Sequence, residues 1–178
     1  NGYCAKYQPT NDINSRMQFV IRAAQENLIQ NTGGPFAAAI FEEKSGELVS
    51  LGVNLVTTEG MSMLHAEMVA IALAQTRLGT YDLGGIKGVS HELVTSTEPC
   101  SMCFGAIPWS GVRKVITGAM DEDARSIGFD EGPKPQDWAG ELTSRGIQVV
   151  DQVERESAVE VLVQYMKSNG HIYNSRES

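Results

Sequence analysis

His91–Trp109 reads HELVTSTEPCSMCFGAIPW, and the rest of the chain can be organised outward from it. HELVTST is rich in β-branched residues and reads as a strand, while CSMCFGAIPW suits a short helix. Pro99 marks the junction, because proline is tolerated at a helix start and holds the residue before it, Glu98, extended. Downstream, VRKVITGA (112–119) is a further strand, so the cysteine-bearing helix lies between two strands.

Upstream, PFAAAIFEE (35–43) reads as a mostly buried strand, KSGE as a turn, and LVSLGVN (48–54) as a second strand pairing antiparallel with the first. Before this hairpin, Met17, Val20, Ile21, Ala24 and Leu28 recur at helical spacing from Asn14 to Gln30, with Ser15 as N-cap and Gly33-Gly34 closing the element. After it, Leu64 to Leu78 is expected to be helical, with Met68, Ile71 and Ala72 on its apolar stripe. A loop-rich stretch from Met120 to Trp138 carries Gly128, Gly132, Pro133 and Pro135. GIQVV (146–150) makes a short fifth strand, and Val153 to Met166 a final helix with Ala158, Val159, Leu162, Tyr165 and Met166 inward. This order implies an α/β fold with a mixed five-stranded sheet covered on both faces by helices, since the hairpin rules out a purely parallel sheet.

The 178 residues contain no repeat and no linker long enough to separate two domains, so residues 1–178 are expected to form one domain with a polar tail from about 167. No apolar run approaches the roughly 18 residues of a membrane helix. The first fifteen residues lack a basic n-region and an apolar h-region, which argues against a secretory signal. The missing initiator Met leads to the expectation that residues precede Asn1. Fourteen basic and 22 acidic residues give a net charge of −8, a field that repels a phosphate backbone and lowers the expectation of a nucleic-acid partner. Three cysteines make no disulfide framework, which favours a reducing, cytoplasmic setting and leaves Cys4 a bystander.

A Cys-x-x-Cys pair alone can be a redox dithiol, half of a structural zinc site or part of a catalytic one. Upstream, HAE at His65–Glu67 supplies a partner motif at the start of another helix. Helix N-termini favour thiolates, and the i, i+3 spacing of Cys100 and Cys103 puts both sulfurs on one face. His65, Cys100 and Cys103 then make three soft ligands, and neither His91 nor His171 lies at ligand spacing to close the set. Three ligands and an open position is the catalytic pattern: one Zn2+ per chain, with water as fourth ligand. Glu67 is the general base beside that water, and at i, i+2 it would point away from His65 in a regular helix.

His-x-Glu followed by Pro-Cys-x-x-Cys resembles the signature of zinc deaminases. From about Asn14 to Met166, including GGPFAAAIF and GVN, the chain is similar to the cytidine deaminase-like superfamily. That resemblance implies a three-layer α-β-α fold, His65, Cys100 and Cys103 as metal ligands and Glu67 as proton shuttle. Within the superfamily, His as first ligand looks like the branch holding tRNA adenosine, deoxycytidylate, riboflavin-pathway and bacterial guanine deaminases.

EDARSIGFDEGPKP (122–135) resembles the segment after the fourth strand in bacterial guanine deaminases. The resemblance implies hydrolytic deamination of guanine to xanthine and ammonia, a step of purine catabolism. Glu131 is carried over as a second acid, although Asp is common there. Asn54 and Tyr173 are carried over as substrate contacts, and Phe36 and Phe129 are expected to sandwich the ring. Trp109 is expected to pack and Trp138 to anchor its loop. The family resemblance also implies a homodimer, with a C-terminal segment able to exchange between subunits and cover an active site. Alternatives are a deaminase of cytosine, deoxycytidylate or tRNA adenosine, or, outside enzymes, an RNA-binding or partner-binding module on the same scaffold. Salt-sensitive RNA binding without ammonia release would mark that last class.

Overall fold

The computed structural model describes residues 2–174; the expected tail beyond Asn174 lies outside them. After a 3-10 turn at Cys4–Lys6 come helix α1 (Ile13–Ile29), strands β1 (Ala37–Glu42) and β2 (Leu48–Val53), and helices α2 (Val56–Glu59) and α3 (Ala66–Leu78). Strand β3 (His91–Thr97), helix α4 (Ser101–Ser110), strand β4 (Lys114–Ala119), helices α5 (Asp121–Ser126) and α6 (Trp138–Thr143), strand β5 (Gln148–Val150) and helix α7 (Arg155–Lys167) complete the chain. The sheet order is β2-β1-β3-β4-β5. β1 is antiparallel to β2 and to β3, whereas β3, β4 and β5 run parallel, so the expected mixed five-stranded sheet is present.

Two cores follow from strand alternation. Ala37, Ala39, Phe41, Val94 and Ile116 face α1 and α7, where Met17, Val20 and Leu162 are buried. Ala38, Ile40, Leu93 and Val115 face α3 and α4, represented by Ala70, Ala74 and Ile107. Gly52 lets α3 approach β2 closely: a Cβ there would run into the backbone of Ala66 and Ala70. This approach fixes the height of the α3 N-terminus above the sheet, and with it the residues at that end.

The topology gathers the ends that matter. The registers Ala37–Val53, Ala38–Thr95 and Thr97–Ala119 place the start of β1 and the ends of β2, β3 and β4 at one edge of the sheet. The loops leaving that edge carry Phe36, Asn54, Glu98 and the segment after Ala119. At the opposite end, Arg16 of α1 forms a buried ion pair with Glu92 of β3, which ties helix to sheet. Among the described residues no helix is long and apolar enough to cross a membrane.

Several local expectations are corrected. Asp12, not Ser15, caps α1, its carboxylate accepting from the Asn14 and Ser15 amides. Ala72 is exposed and Met68 only half-buried, because α3 turns Ala66, Glu67, Ala70, Ile71 and Ala74 inward. Met166 faces solvent and Val161 takes its place in the core. The stretch from Met120 is less loop-rich than expected, since α5 forms within it.

Candidate active site

His65 is the N-cap of α3 and Cys100 the N-cap of α4, both in extended conformation, with Cys103 one turn further on and fully buried. One ligand atom from each of His65, Cys100 and Cys103 lies within 4.8 Å of the others. The Cys100 sulfur is 3.4 Å from His65 Nδ1. A hydrogen bond from Cys103 draws the Cys100 thiol down to about 4, with His65 adding to the effect against burial. Cys103 is correspondingly pushed up by its hydrogen bond to Cys100 and by burial. Burial works against charge on His65, but the neighbouring Cys100 thiolate prevails and raises it. Two sulfurs and one imidazole, one sulfur already drawn to thiolate, form a donor set that fits zinc.

Glu67 is 6% exposed and reaches the same point. His65 sits in the cap of α3 and Glu67 in its first turn, and the Glu67 carboxylate is not part of the three-residue ligand group. Its Oε1 accepts from Thr95 Oγ1 at 3.2 Å and its Oε2 from the Cys103 sulfur at 3.4 Å. Burial, then the Cys100 charge, pushes its carboxyl above the ordinary range.

Glu131 comes from the loop between α5 and α6 and is 7% exposed, not a solvated loop acid. Burial, then the Cys100 and Glu67 charges, pushes its carboxyl up to about 8. Its carbonyl accepts from the Ser101 amide at 2.9 Å, docking the loop on the first turn of α4. A second tether runs through Glu98. Glu98 Oε1 accepts from Trp138 Nε1 at 2.6 Å, and Oε2 accepts from the Asp121 amide at 2.7 Å and from Lys134 Nζ at 3.3 Å. Lys134 Nζ also donates to the Pro99 carbonyl at 3.1 Å.

His65, Glu67, Glu98, Cys100 and Glu131 line one cleft of about 250 Å³, together with Phe36, Asn54, Phe129 and Tyr173. Asn54 is buried; its Oδ1 accepts from the Val56 amide at 3.2 Å, while its Nδ2 has no protein partner among the described residues. Tyr173 lies over Gly34, where a Cβ would strike its ring, and its hydroxyl is likewise unpartnered. Asn174 holds this tail to the Glu131 loop, donating to the Gly128 carbonyl at 2.8 Å and accepting from the Asp130 amide at 2.9 Å. Tyr173 and Asn174 thus line the cleft of their own chain.

The expected aromatic sandwich is corrected. Phe36 and Phe129 meet edge to face, with centroids 4.9 Å apart at 70°, and Phe129 also stacks on Tyr165, so the two rings form a wall and not a slot. Trp109, expected to pack, is 86% exposed, whereas Trp138 is buried against the Glu98 tether. Sequence reasoning missed Glu98, Lys134, Thr95 and Asn174 as members of the site. Only Glu98 carried a signal, its place before Pro-Cys.

Residues 10–119 match the zinc-binding region of cytidine and deoxycytidylate deaminases. Over 111 residues the chain is 40% identical to the guanine deaminase of Bacillus subtilis (strain 168), covering 62% of this chain and 67% of that protein. The solved structure of guanine deaminase from Nitrosomonas europaea superposes with a TM-score of 0.89 at 42% identity, covering 93% of this chain and 90% of that one. A structure in complex with 2,6-diaminopurine superposes with the same TM-score of 0.89 at 45% identity, covering 95% and 89%.

Proposed function

The chain belongs to the cytidine and deoxycytidylate deaminase zinc-binding family, and from that premise we propose that it is a zinc-dependent aminohydrolase converting guanine to xanthine and ammonia. The observation that carries this reading is the convergence of Glu67 and Glu131 on the cleft that His65 and Cys100 line, with Cys103 completing the ligand group behind it. His65, Cys100 and Cys103 would hold one zinc per chain, and the metal supplies the Lewis acidity that makes water a nucleophile near neutral pH.

Deamination at C2 consumes one water, with one proton ending on ring N3 and the other on the departing amine. Glu67 takes a proton from the attacking water and delivers it to N3. Glu131, held protonated near neutral pH, gives its proton to the leaving nitrogen and recovers one from the new C2 hydroxyl as the carbonyl forms. The unpartnered Asn54 amide offers a donor to the base, and Tyr173 closes over it and excludes water.

The homodimer is likewise a proposal, supported by the exposed apolar side chains Leu73 of α3 and Met102 and Trp109 of α4, as is a cytoplasmic setting. Exchange of the C-terminal segment between subunits is part of the same proposal, Tyr173 being the tail residue that lines the cleft.

The deciding experiment measures ammonia released from guanine, adenine, cytosine, their nucleosides and nucleotides, and a tRNA anticodon arm, with zinc quantified per chain. Guanine should be turned over with about one zinc bound. Preference for cytosine, a nucleotide or the RNA would overturn the substrate, and full turnover by metal-free protein would overturn the mechanism.

A further inference from the structure

Thr95 lies on the central strand β3, beneath the N-terminus of α3, and is 2% exposed. Its backbone is committed to the sheet, paired with Ala38 on one side and Thr117 on the other. Its side chain lies among the apolar residues that pack under α3, where an aliphatic residue would be the simpler occupant. A buried hydroxyl costs free energy unless it finds a partner, and Thr95 finds one in the carboxylate of Glu67, 3.2 Å away. Its neighbour across the parallel register, Thr117, is equally buried and has no partner for its hydroxyl among the described residues. Of these two buried threonines, only Thr95 places its hydroxyl on the carboxylate of Glu67.

The two oxygens of Glu67 are held unequally. Oε2 accepts from the Cys103 thiol, a contact that depends on a proton that sulfur gives up on ligating a metal. Oε1 accepts from a hydroxyl fixed to a central strand, and this contact does not depend on the state of the metal ligands.

We propose that Thr95 is a positioning residue of the deamination: its hydroxyl anchors Glu67 Oε1, so that Oε2 alone faces the reacting atoms and moves the proton. The inference rests on the assigned shuttle role of Glu67. Anchoring one oxygen removes carboxylate rotation as a motion to be arrested before each transfer, an effect expected in kcat and not in binding. Thr95 does not line the cleft, and Ala38 and Leu93 beside it give an aliphatic replacement apolar surroundings.

The test compares Thr95→Val, which keeps the β-branched shape and removes the hydroxyl, with Thr95→Ser, which keeps the hydroxyl. Thr95→Val should lower kcat by about tenfold, as expected for a misplaced acid–base group, with KM, xanthine affinity and zinc content within twofold of the unaltered protein. Thr95→Ser should restore most of kcat. Crystal structures of the zinc-loaded proteins should show one Glu67 orientation with Oε1 on the hydroxyl in the unaltered protein and in Thr95→Ser, and a rotated or split carboxylate in Thr95→Val. An undiminished kcat in Thr95→Val, a loss matched by lost zinc, or a serine variant as slow as the valine one overturns the proposal. So does a zinc-loaded structure in which Thr95 turns away from Glu67. If the unaltered protein released no ammonia from guanine, the functional reading would fall, while the crystallographic comparison would still decide this inference.

Discussion

Glu67 and Glu131 open onto the same cleft and are buried to the same degree, yet the chain places them by different means. Glu67 belongs to the first turn of α3, a helix seated on the sheet through Gly52, and both its oxygens accept hydrogen bonds. Glu131 sits on a loop, and its carboxylate is aimed by tethers to other atoms: the Ser101 amide, and the Glu98 network with Lys134 and Trp138. Rigid elements locate the first carboxylate and long-range polar contacts the second. Their roles should therefore fail differently, at the carboxylate itself for Glu67 and also at a distance for Glu131.

The largest effect is expected at the rigid carboxylate. Glu67→Gln keeps the side-chain shape and removes the proton-accepting form, and should cut kcat by about 10³-fold while zinc content stays at the unaltered level. A variant within tenfold of the unaltered rate would show that Glu67 is not the shuttle, and loss of the metal would make it a support of the ligand set.

Glu131→Gln should cost less, about 10²-fold in kcat, because the amide can still donate a hydrogen bond to the leaving nitrogen although it cannot transfer a proton. It carries a second, independent signature. A carboxyl raised from its ordinary range to about 8 by burial binds its proton more tightly folded than unfolded. Its contribution to stability is complete below the unfolded value near 4.5 and is lost as pH rises toward about 8. Thermal unfolding of metal-free protein should therefore show Tm falling across that window, and more steeply for the unaltered chain than for Glu131→Gln. Parallel profiles would mean that Glu131 titrates as an ordinary surface acid.

The same contrast explains what could be read from the sequence. The candidate metal corner was legible because His65, Glu67, Cys100 and Cys103 fall in two short motifs, each at the N-terminus of a helix whose periodicity is local. The five strands and the three long helices were legible for the same reason. The tether network was not, since Glu98 meets Trp138 forty residues away and Lys134 thirty-six away, and no local pattern links them. Nor were α2 and α5, which span four and six residues and are too short for a period to show. The aromatic sandwich failed because a residue's type does not give its ring plane: Phe129 is turned by Tyr165, from a helix that follows it by more than thirty residues. Ser15 lost the cap to Asp12, three residues earlier, because the Asp12 carboxylate reaches both the Asn14 and Ser15 amides.

Trp138→Phe probes the tether without touching the cleft wall. The ring volume is largely kept, but Glu98 Oε1 loses its indole donor, and a buried carboxylate oxygen left unpaired costs about 1–3 kcal/mol of stability. Because that carboxylate also holds Lys134 and the Asp121 amide, the Glu131 loop should loosen. We expect kcat to fall several-fold, roughly 5- to 10-fold, with zinc content unchanged. The same substitution combined with Glu131→Gln should add little, since both act on one proton transfer. Fully additive losses would place the effect of Trp138 elsewhere.

The smallest effect is expected at the tail. Asn174 pairs with the backbone of Gly128 and Asp130, so it joins the covering tail to the loop that bears Glu131. These are neutral hydrogen bonds at an exposed position, each worth about 1 kcal/mol or less, and Tyr173 keeps its apolar contact with Phe129 when they are gone. Asn174→Ala should therefore raise KM for guanine roughly two- to five-fold with kcat nearly unchanged, because closure over the base is weakened while the proton carriers stay in place. Tyr173→Ala removes the cover itself and should raise KM further. If Asn174→Ala lowered kcat in step with Trp138→Phe, the tail would count among the supports of Glu131, and the boundary between the rigid and the tethered carboxylate would move to include the C-terminus.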